Sequence, residues 1–334
     1  MLTAIVAIIV FGLVVFVHEL GHFGVAKAVG IKVHEFALGM GPKLLGFGKG
    51  ETQYTLRALP IGGFVRMEGE DEVSSDAGSF SNKSVAARIA VIFAGPFMNF
   101  IFALIVFTML FYSVGTPSTT LREVIPGTPA EAAGVQSGDR VISINGEEMK
   151  DWTHVVQTIG KSQDTPLQFI LERDKAVITK TITPIVDSET KQIMVGIIPQ
   201  VKKSLSVAVK NSFTNMAYVV REIGDFLRRL VFRQVQSGEV AGPVGIISMV
   251  GQATRAGWEN VLFLAGLISI NLGLMNLLPI PALDGSRILF LIFEALRGKP
   301  VNPDREGMIH IVGFALLITL MLFVTYQDIV RLFN

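Results

Sequence analysis

The chain has 334 residues, of which 50% are hydrophobic and only 17% are charged, and its mean hydropathy is +0.52. Soluble globular domains carry about 25% charged residues, so this composition indicates a membrane protein. The formal net charge of +1 gives no support to a nucleic-acid partner, and the absence of cysteine excludes disulfides and thiolate metal sites.

Four apolar runs are long enough to cross the hydrocarbon core of a bilayer, which needs about 20 apolar residues. With their flanks, the predicted transmembrane helices are residues 1–26, 88–115, 259–285 and 308–330. No lysine or arginine precedes Lys27, and no small-residue cleavage pattern follows the first run. We therefore interpret that run as a retained span and not as a signal peptide.

Lysine and arginine are concentrated in two loops, residues 27–87 and 286–307. Basic loops face the cytoplasm, so both loops are predicted to be cytoplasmic, with both termini and the segment between spans two and three outside. Spans one and three then cross in the same direction. Their C-terminal ends are predicted to lie at the same depth, near the cytoplasmic face.

The first predicted span ends in the sequence His-Glu-Leu-Gly-His, residues 18–22. Residues four apart share one face of a helix, so His18 and His22 can bind the same zinc ion, with Glu19 placed to take a proton from water on the metal. A catalytic zinc usually has three protein ligands. Asp284 ends span three at the same predicted depth and is the natural third ligand. An intramembrane charge costs roughly 2.5–3.5 kcal/mol or more, which favours a functional site over a solvated helix face.

Residues 53–67 have two short apolar arms around Gly62 and Gly63, which predicts a β-hairpin within the loop 27–87. An open strand edge can pair with an extended substrate. This would expose peptide bonds that a helical substrate hides. The alternative is a cytoplasmic hairpin without any role in substrate binding.

The outer segment has two parts. Residues 116–200 combine turn-rich and alternating stretches, which predict a small β-rich domain. Residues 201–258 comprise a predicted amphipathic helix and a glycine-containing apolar run, 240–253, that we interpret as re-entrant or interfacial. Arginines accompany the amphipathic helix, so it can lie flat on the outer membrane surface, or equally well pack on the small domain.

Span three contains two asparagines and a proline-rich end. Asn271 and Asn276 can hydrogen-bond a substrate backbone, although buried amides also commonly bond across membrane helices. Pro279 and Pro281 remove backbone donors and are predicted to interrupt the helix just before Asp284.

Three motifs together resemble the site-2 protease family of intramembrane zinc metalloproteases. They are His18 to His22, Gly95-Pro96-x-x-Asn99, and Asn276-x-x-Pro279-x-Pro281-x-x-Asp284-Gly285. The sequence at 126–146 resembles PDZ domains of bacterial proteases. With one such domain between spans two and three, the chain resembles the bacterial RseP/RasP-type branch of the family, with a single PDZ domain. The resemblance implies a polytopic α-helical membrane protein of four transmembrane helices, with an inserted small β-rich PDZ domain and a membrane-associated β-hairpin.

The same resemblance implies an intramembrane metalloendopeptidase of the bacterial cytoplasmic membrane. Its zinc (Zn²⁺) ligands would be His18, His22 and Asp284, with Glu19 as catalytic base. Its substrates would be transmembrane segments of anti-sigma factors or signal-peptide remnants, already trimmed by an upstream site-1-type protease. The substrate-binding candidates are Asn271, Asn276, Gly62, Gly63 and Phe64.

Other readings of these motifs remain open at this point. Gly95, Pro96 and Asn99 are expected to serve close helix packing more than catalysis. The alternative function is a non-catalytic PDZ membrane scaffold or chaperone, which would need neither Glu19 nor Asp284. A metal transporter fits poorly, because its polar residues would line a path and not gather at one depth.

Overall fold

The computed structural model of the chain describes residues 2–48, 50–70, 74–162, 165–187, 191–232, 234, 241–299 and 301–333. The chain divides into two compact units, Met1–Leu110 with Val209–Asn334 and Phe111–Ala208. In chain order the helices and strands are α1 Leu2–Ala28, β1 Val33–Phe47, β2 Gln53–Met67, α2 Val85–Val114, β3 Thr116–Val124, α3 Pro129–Ala132, β4 Arg140–Ile144, β5 Glu147–Glu148, α4 Trp152–Gly160, β6 Leu167–Arg173, β7 Ala176–Ile182, β8 Ile185–Val186, β9 Ile193–Met194, β10 Ile197–Lys202, α5 Leu205–Val231, α6 Pro243–Ala256, α7 Trp258–Asn276, α8 Asp284–Arg297 and α9 Pro303–Phe333.

Four helices within the described residues are long and apolar enough to cross a membrane. They are Leu2–Ala28, Val85–Val114, Trp258–Asn276 and Arg305–Arg331. Their number and order match the predicted spans, and a β-rich unit is inserted between the second and the third. The predicted fold class, a polytopic helical membrane protein with an inserted β-rich domain, is therefore confirmed.

The end of the third span differs from the expected position. The apolar helix α7 ends at Asn276, and Asp284 begins the separate helix α8 in place of closing span three. Pro279 and Pro281 lie in the turn between the two helices, where their missing N–H groups cost no helical hydrogen bond. The interruption predicted from the prolines is present, and α8 occupies much of what we expected to be a loop at 286–307.

Small residues bring α1, α2 and α7 close together. A Cβ atom on Gly21 of α1 would lie 2.3 Å from the carbonyl oxygen of Ala94 in α2. A Cβ on Gly273 of α7 would lie 3.0 Å from the carbonyl oxygen of Pro96. Membrane helices associate mainly through such close backbone packing, because lipid offers no hydrophobic driving force between them.

The hairpin differs from the predicted one: its two strands are β1 and β2, and Gly62 and Gly63 lie inside β2 and not in a turn between two arms. Residues 35–38 of β1 pair with 63–66 of β2 on one side and with 53–56 on the other. The β2 segment 63–67 therefore lies at an edge, and no described strand pairs with its other side. Apolar side chains at the far end of the hairpin are exposed, as expected for a membrane-associated element: Met40, Leu44, Leu45 and Phe47.

The second unit is built around an antiparallel sheet with the strand order β10-β3-β4-β6-β7, and β5 pairs with β4. Its core includes Phe169 and Leu171 of β6 and Val155 of α4. Asp139, the residue before β4, is fully buried. Hydrogen bonds from Arg173, at 2.7 and 2.8 Å, and from the Gln136 N–H, at 2.9 Å, offset that burial and hold the pKa of Asp139 below its usual range.

The segment predicted as an amphipathic helix and an apolar run forms α5 and α6. Residues 233 and 235–240 of those predicted segments lie outside the described residues. Helix α6 packs against α1, α7 and α9, and Val250 and Gly251 are buried there. The Asp328 carboxylate of α9 accepts the Gly245 N–H at 2.8 Å, near the start of α6. Whether α6 is re-entrant or interfacial stays a prediction.

Candidate active site

Three side chains that the sequence places far apart meet at one point of the helical unit. His18 and His22 lie one turn apart on α1, and Asp284 is the first residue of α8. The Asp284 Oδ2 atom is 3.2 Å from His18 Nε2 and 3.5 Å from His22 Nε2. All three ligand atoms lie within 4.8 Å of one another. The two imidazoles are buried.

The chemistry of these donors fits a zinc ion. The His22 Nδ1 atom is 2.9 Å from the Val91 carbonyl oxygen, which can only accept, so Nδ1 donates and Nε2 keeps its lone pair. The buried Asp284 Oδ2 has no hydrogen-bond partner, although both imidazoles are close to it. Two imidazole nitrogens and one carboxylate oxygen, with room for water, form a usual catalytic zinc donor set.

The turn before Asp284 fixes where its carboxylate lies. Gly285 packs so closely against the end of α7 that a Cβ there would lie 2.3 Å from the carbonyl oxygens of Leu277 and Leu278. Ala282 adopts a left-handed backbone conformation, with φ of 75°. Its N–H donates to His310 Nδ1 at 3.0 Å, so α9 holds the turn in this conformation.

Two ion pairs anchor α8 and hence Asp284. Arg88 at the start of α2 donates to both carboxylate oxygens of Glu294, at 3.2 and 2.5 Å. Arg287 pairs with Glu70, which follows β2. Both pairs are largely shielded from solvent, and a bidentate pair also fixes orientation.

Glu19 and the hairpin edge close the site on another side. Gly63 of β2 packs directly against α1: a Cβ atom on Gly63 would lie 2.9 Å from Glu19 Cγ and 3.2 Å from Val15 Cγ1. The cavity over the cluster has a volume of about 460 Å³. Its lining includes the three cluster residues with Glu19, Gly63, Phe64, Val65, Met67, Glu70, Ile92, Ala282, Leu283, Arg287, His310, Ile311 and Phe314.

Comparison with known proteins decides the family. The model of Peptidase family M50 matches residues 6–320. The chain belongs to peptidase family M50. Zinc metalloprotease RasP of Geobacillus kaustophilus is 36% identical, with 98% of this chain and 97% of that protein covered. The regulator of sigma-W protease RasP of Bacillus subtilis is 35% identical, with 99% of each chain covered. The predicted site-2-type protease family, its enzyme class and its zinc are confirmed.

Solved structures that are similar to a part of this M50 peptidase include PDZ domains. The PDZ domain of an SdrC-like protein from Listeria monocytogenes is 15% identical to it, with a TM-score of 0.23. That match covers 25% of this chain and 87% of the solved one.

Three of the five substrate-binding candidates of the M50 peptidase lie near the cluster. Gly63 and Phe64 line its cavity, and Asn276 Nδ2 is 3.5 Å from His18 Nε2. Gly62 lines a neighbouring apolar cavity instead. Asn271 is exposed on α7, and no hydrogen bond is described for its side chain.

A buried ion pair supports the hairpin edge. The Glu35 carboxylate accepts hydrogen bonds at 2.6 Å from both Thr55 and Arg57. These bonds outweigh the desolvation of Glu35 and keep its pKa below the usual range. The same Arg57 guanidinium lies over the Phe64 ring, 4.8 Å from its centroid, and so braces a residue of the cavity wall.

Sequence reasoning missed two polar contacts of the site. Asn99, expected to serve packing, has its amide Nδ2 at 3.1 Å from His18 Nδ1. The sequence signals were its place in the motif Gly95-Pro96-x-x-Asn99 and the cost of an amide in the middle of an apolar span. His310, which belongs to none of the three motifs, accepts the Ala282 N–H in the turn before Asp284. That contact depends on how α9 packs and has no signature in the local sequence.

Proposed function

We propose that the chain hydrolyses peptide bonds in transmembrane segments, with zinc held by His18, His22 and Asp284 and with Glu19 as the catalytic base. The observation that supports this most strongly is the convergence of three ligand atoms within 4.8 Å in one buried cluster. Glu19 precedes the second ligand on the same helix and lines the same cavity. A scaffold would have no use for this constellation.

The proposed chemistry divides between the metal and the protein. Zinc, when bound, supplies Lewis acidity, which lowers the pKa of a water molecule and polarises the scissile carbonyl. Glu19 takes the proton of the attacking water and delivers it to the leaving nitrogen. Asn276 extends its amide towards His18 and can donate a hydrogen bond to the carbonyl oxygen as negative charge develops there.

The hairpin edge offers a way to present an unwound substrate. Because one side of residues 63–67 has no described strand partner, an extended segment can add to this edge. Such a segment would pass over Glu19, against which Gly63 packs. A second cavity of about 420 Å³ lies between α1 and the hairpin and is lined by apolar residues such as Ile9, Leu13 and Leu56. Its apolar lining suits a membrane-embedded substrate.

The proposal extends to the substrates of the enzyme and to its orientation in the membrane. The similar protein from Bacillus subtilis is named regulator of sigma-W protease. We therefore take membrane-bound anti-sigma factors as substrates, with signal-peptide remnants as a second group. We place an upstream site-1-type protease before this enzyme. The basic loops 27–87 and 286–307 favour a multi-pass protein of the bacterial inner membrane, with both termini and the β-rich domain outside. The cluster would then lie near the cytoplasmic face.

Replacement of Glu19 by glutamine tests the chemistry. The purified Glu19→Gln protein should keep one zinc per chain and lose cleavage of a single-span model substrate, because glutamine cannot accept the proton. Glu51→Gln is the matched control, since Glu51 is exposed and pairs with Lys27. His18→Ala should lose zinc and cleavage together. Cleavage by Glu19→Gln at the control rate would rule out Glu19 as the base, and a zinc-free wild type would rule out the whole proposal.

A further inference from the structure

Asn99 is a fully buried amide in the middle of α2 whose hydrogen bonds are only half satisfied. Its Nδ2 atom is 3.1 Å from His18 Nδ1. Its Oδ1 atom is buried and has no hydrogen-bond partner. The backbone around it is fixed, because the Ser269 hydroxyl of α7 donates to the Asn99 carbonyl oxygen at 2.8 Å. An unpaired amide oxygen at this depth costs about 1–3 kcal/mol, so its retention calls for a reason.

The two histidines of the cluster differ in what lies behind them. His22 has a backbone carbonyl at its Nδ1 atom, which fixes the proton there. His18 has an amide, which can either donate or accept. A neutral imidazole that donates from Nε2 cannot also bind a metal through Nε2. For His18 to ligate through Nε2, its Nδ1 must carry the proton and must face an acceptor.

We propose that Asn99 is a positioning residue that selects the tautomer of His18. A half-turn of its amide brings the unpaired Oδ1 to His18 Nδ1, where it accepts the Nδ1–H and leaves Nε2 free for zinc. The inference rests on the proposed function, because it assigns His18 as a ligand. The inference assigns the motif Gly-Pro-x-x-Asn to the metal site, because the Asn99 Oδ1 atom would contact a metal ligand without contacting the metal.

A packing role and a positioning role predict opposite effects at residue 99. Leucine has nearly the shape of asparagine and would satisfy a packing role in this apolar span. Aspartate would bury a charge and would harm a residue that only packs. If Asn99 acts as an acceptor for His18, leucine removes the acceptor, whereas aspartate is an acceptor in both orientations and makes the imidazole a stronger ligand.

Zinc affinity of the full-length chain in detergent separates the two roles. We would measure it by competition with a chromophoric chelator for wild type, Asn99→Leu and Asn99→Asp. The matched control is Asn260→Leu, since Asn260 is exposed near the start of α7 and the described hydrogen bond of its side chain is to the Ala256 carbonyl oxygen. Loss of an outer-shell partner typically costs about 10–100-fold in metal affinity, and we expect this for Asn99→Leu. We expect Asn99→Asp to bind at least as tightly as wild type.

Two further readouts keep the result interpretable. The absorption bands of the Co²⁺-substituted protein report the ligand field and should change in Asn99→Leu but not in Asn260→Leu. Thermal unfolding of the metal-free variants reports folding alone. Should Asn99→Leu fail to fold, Asn99→Asp still decides, since weaker zinc binding than wild type would overturn the inference. Wild-type affinity in a folded Asn99→Leu would also overturn it, while a wild type that binds no zinc would refute the proposed function instead.

Discussion

Gly95 of α2 packs against the imidazole of His22 more closely than any side chain would allow. A Cβ atom at this position would lie 2.2 Å from His22 Nε2, 2.6 Å from Cε1 and 2.8 Å from Cδ2. Three atoms of one ring edge would therefore collide with the same methyl group. We predict that Gly95→Ala loses zinc binding while the protein remains folded.

The size of the displacement follows from these distances. An ordinary Cβ contact begins at 3.4 Å, so the His22 ring must move by about 1.2 Å, the difference from 2.2 Å. Rotation does not relieve the clash without breaking the bond from Nδ1 to the Val91 carbonyl oxygen. Zinc–ligand distances tolerate only about 0.2 Å. We therefore expect zinc affinity to fall by more than the ~100-fold that marks the loss of an outer-shell partner.

The cost to folding should be smaller than the effect on the metal. Overpacking of one methyl group typically costs about 1–3 kcal/mol, which the interface between α1 and α2 can absorb by a small shift. Zinc content by mass spectrometry, affinity by chelator competition and metal-free thermal unfolding would be measured together. Gly24→Ala is the control on α1, because a Cβ there would meet no described atom within 4 Å apart from its chain neighbours and its own helix backbone. A Gly95→Ala protein with one tightly bound zinc would refute the placement of His22 Nε2 in the metal site.

Two more predictions concern the hairpin edge and the β-rich unit. Gly63→Ala should keep zinc but cleave a model transmembrane substrate about 10-fold more slowly. A Cβ there would lie 2.9 Å from Glu19 Cγ and must move to 3.4 Å, so the edge strand shifts by about 0.5 Å, half of the ~1 Å misplacement that can cost about 100-fold. Unchanged cleavage would contradict a role for this edge. Asp139→Asn should cost about 1.5–3 kcal/mol at pH 7, measured by urea unfolding with Trp152 fluorescence in a Trp258→Phe background. The pKa of Asp139 is lower in the folded than in the unfolded protein, so wild type should lose this stability as the pH falls from about 4 towards the folded pKa. Asp139→Asn should not show this acid-dependent loss. Equal acid sensitivity of the two proteins would contradict a stabilising role of the Asp139 carboxylate.

The convergence of His18, His22 and Asp284 could be predicted from the sequence because it rests on simple rules. The spacing of His18 and His22 places both on one face of any helix, and the apolar context makes a solvated face costly. Asp284 followed from the direction of span three alone. Its approach to within 3.5 Å of both imidazoles also depends on the turn after α7, which places Asp284 at the start of α8.

Other parts of the site depend on packing that local patterns do not encode. The turn after α7 folds back so that Asp284 begins a helix of its own, and the contact from His310 reaches it from a segment 28 residues later in the chain. The hairpin was predicted as two arms, yet residues 35–38 acquire partners on both sides through long, irregular strands. Register shifts of this kind arise from tertiary contacts and bulges, which a period-two pattern does not reveal.

The motif Gly95-Pro96-x-x-Asn99 shows where packing and chemistry coincide. Consecutive spans run antiparallel, so the order of facing residues is reversed between α1 and α2. His22 meets Gly95, and His18 meets Asn99, with a spacing of four residues on each helix. The glycine allows one ligand to approach the α2 backbone, and the amide one turn later reaches the other ligand. Exchange of the two residues would put the amide against the ring that needs space, and the glycine behind the ring that needs an acceptor. The order glycine, then asparagine, is thus dictated by the direction of the second span.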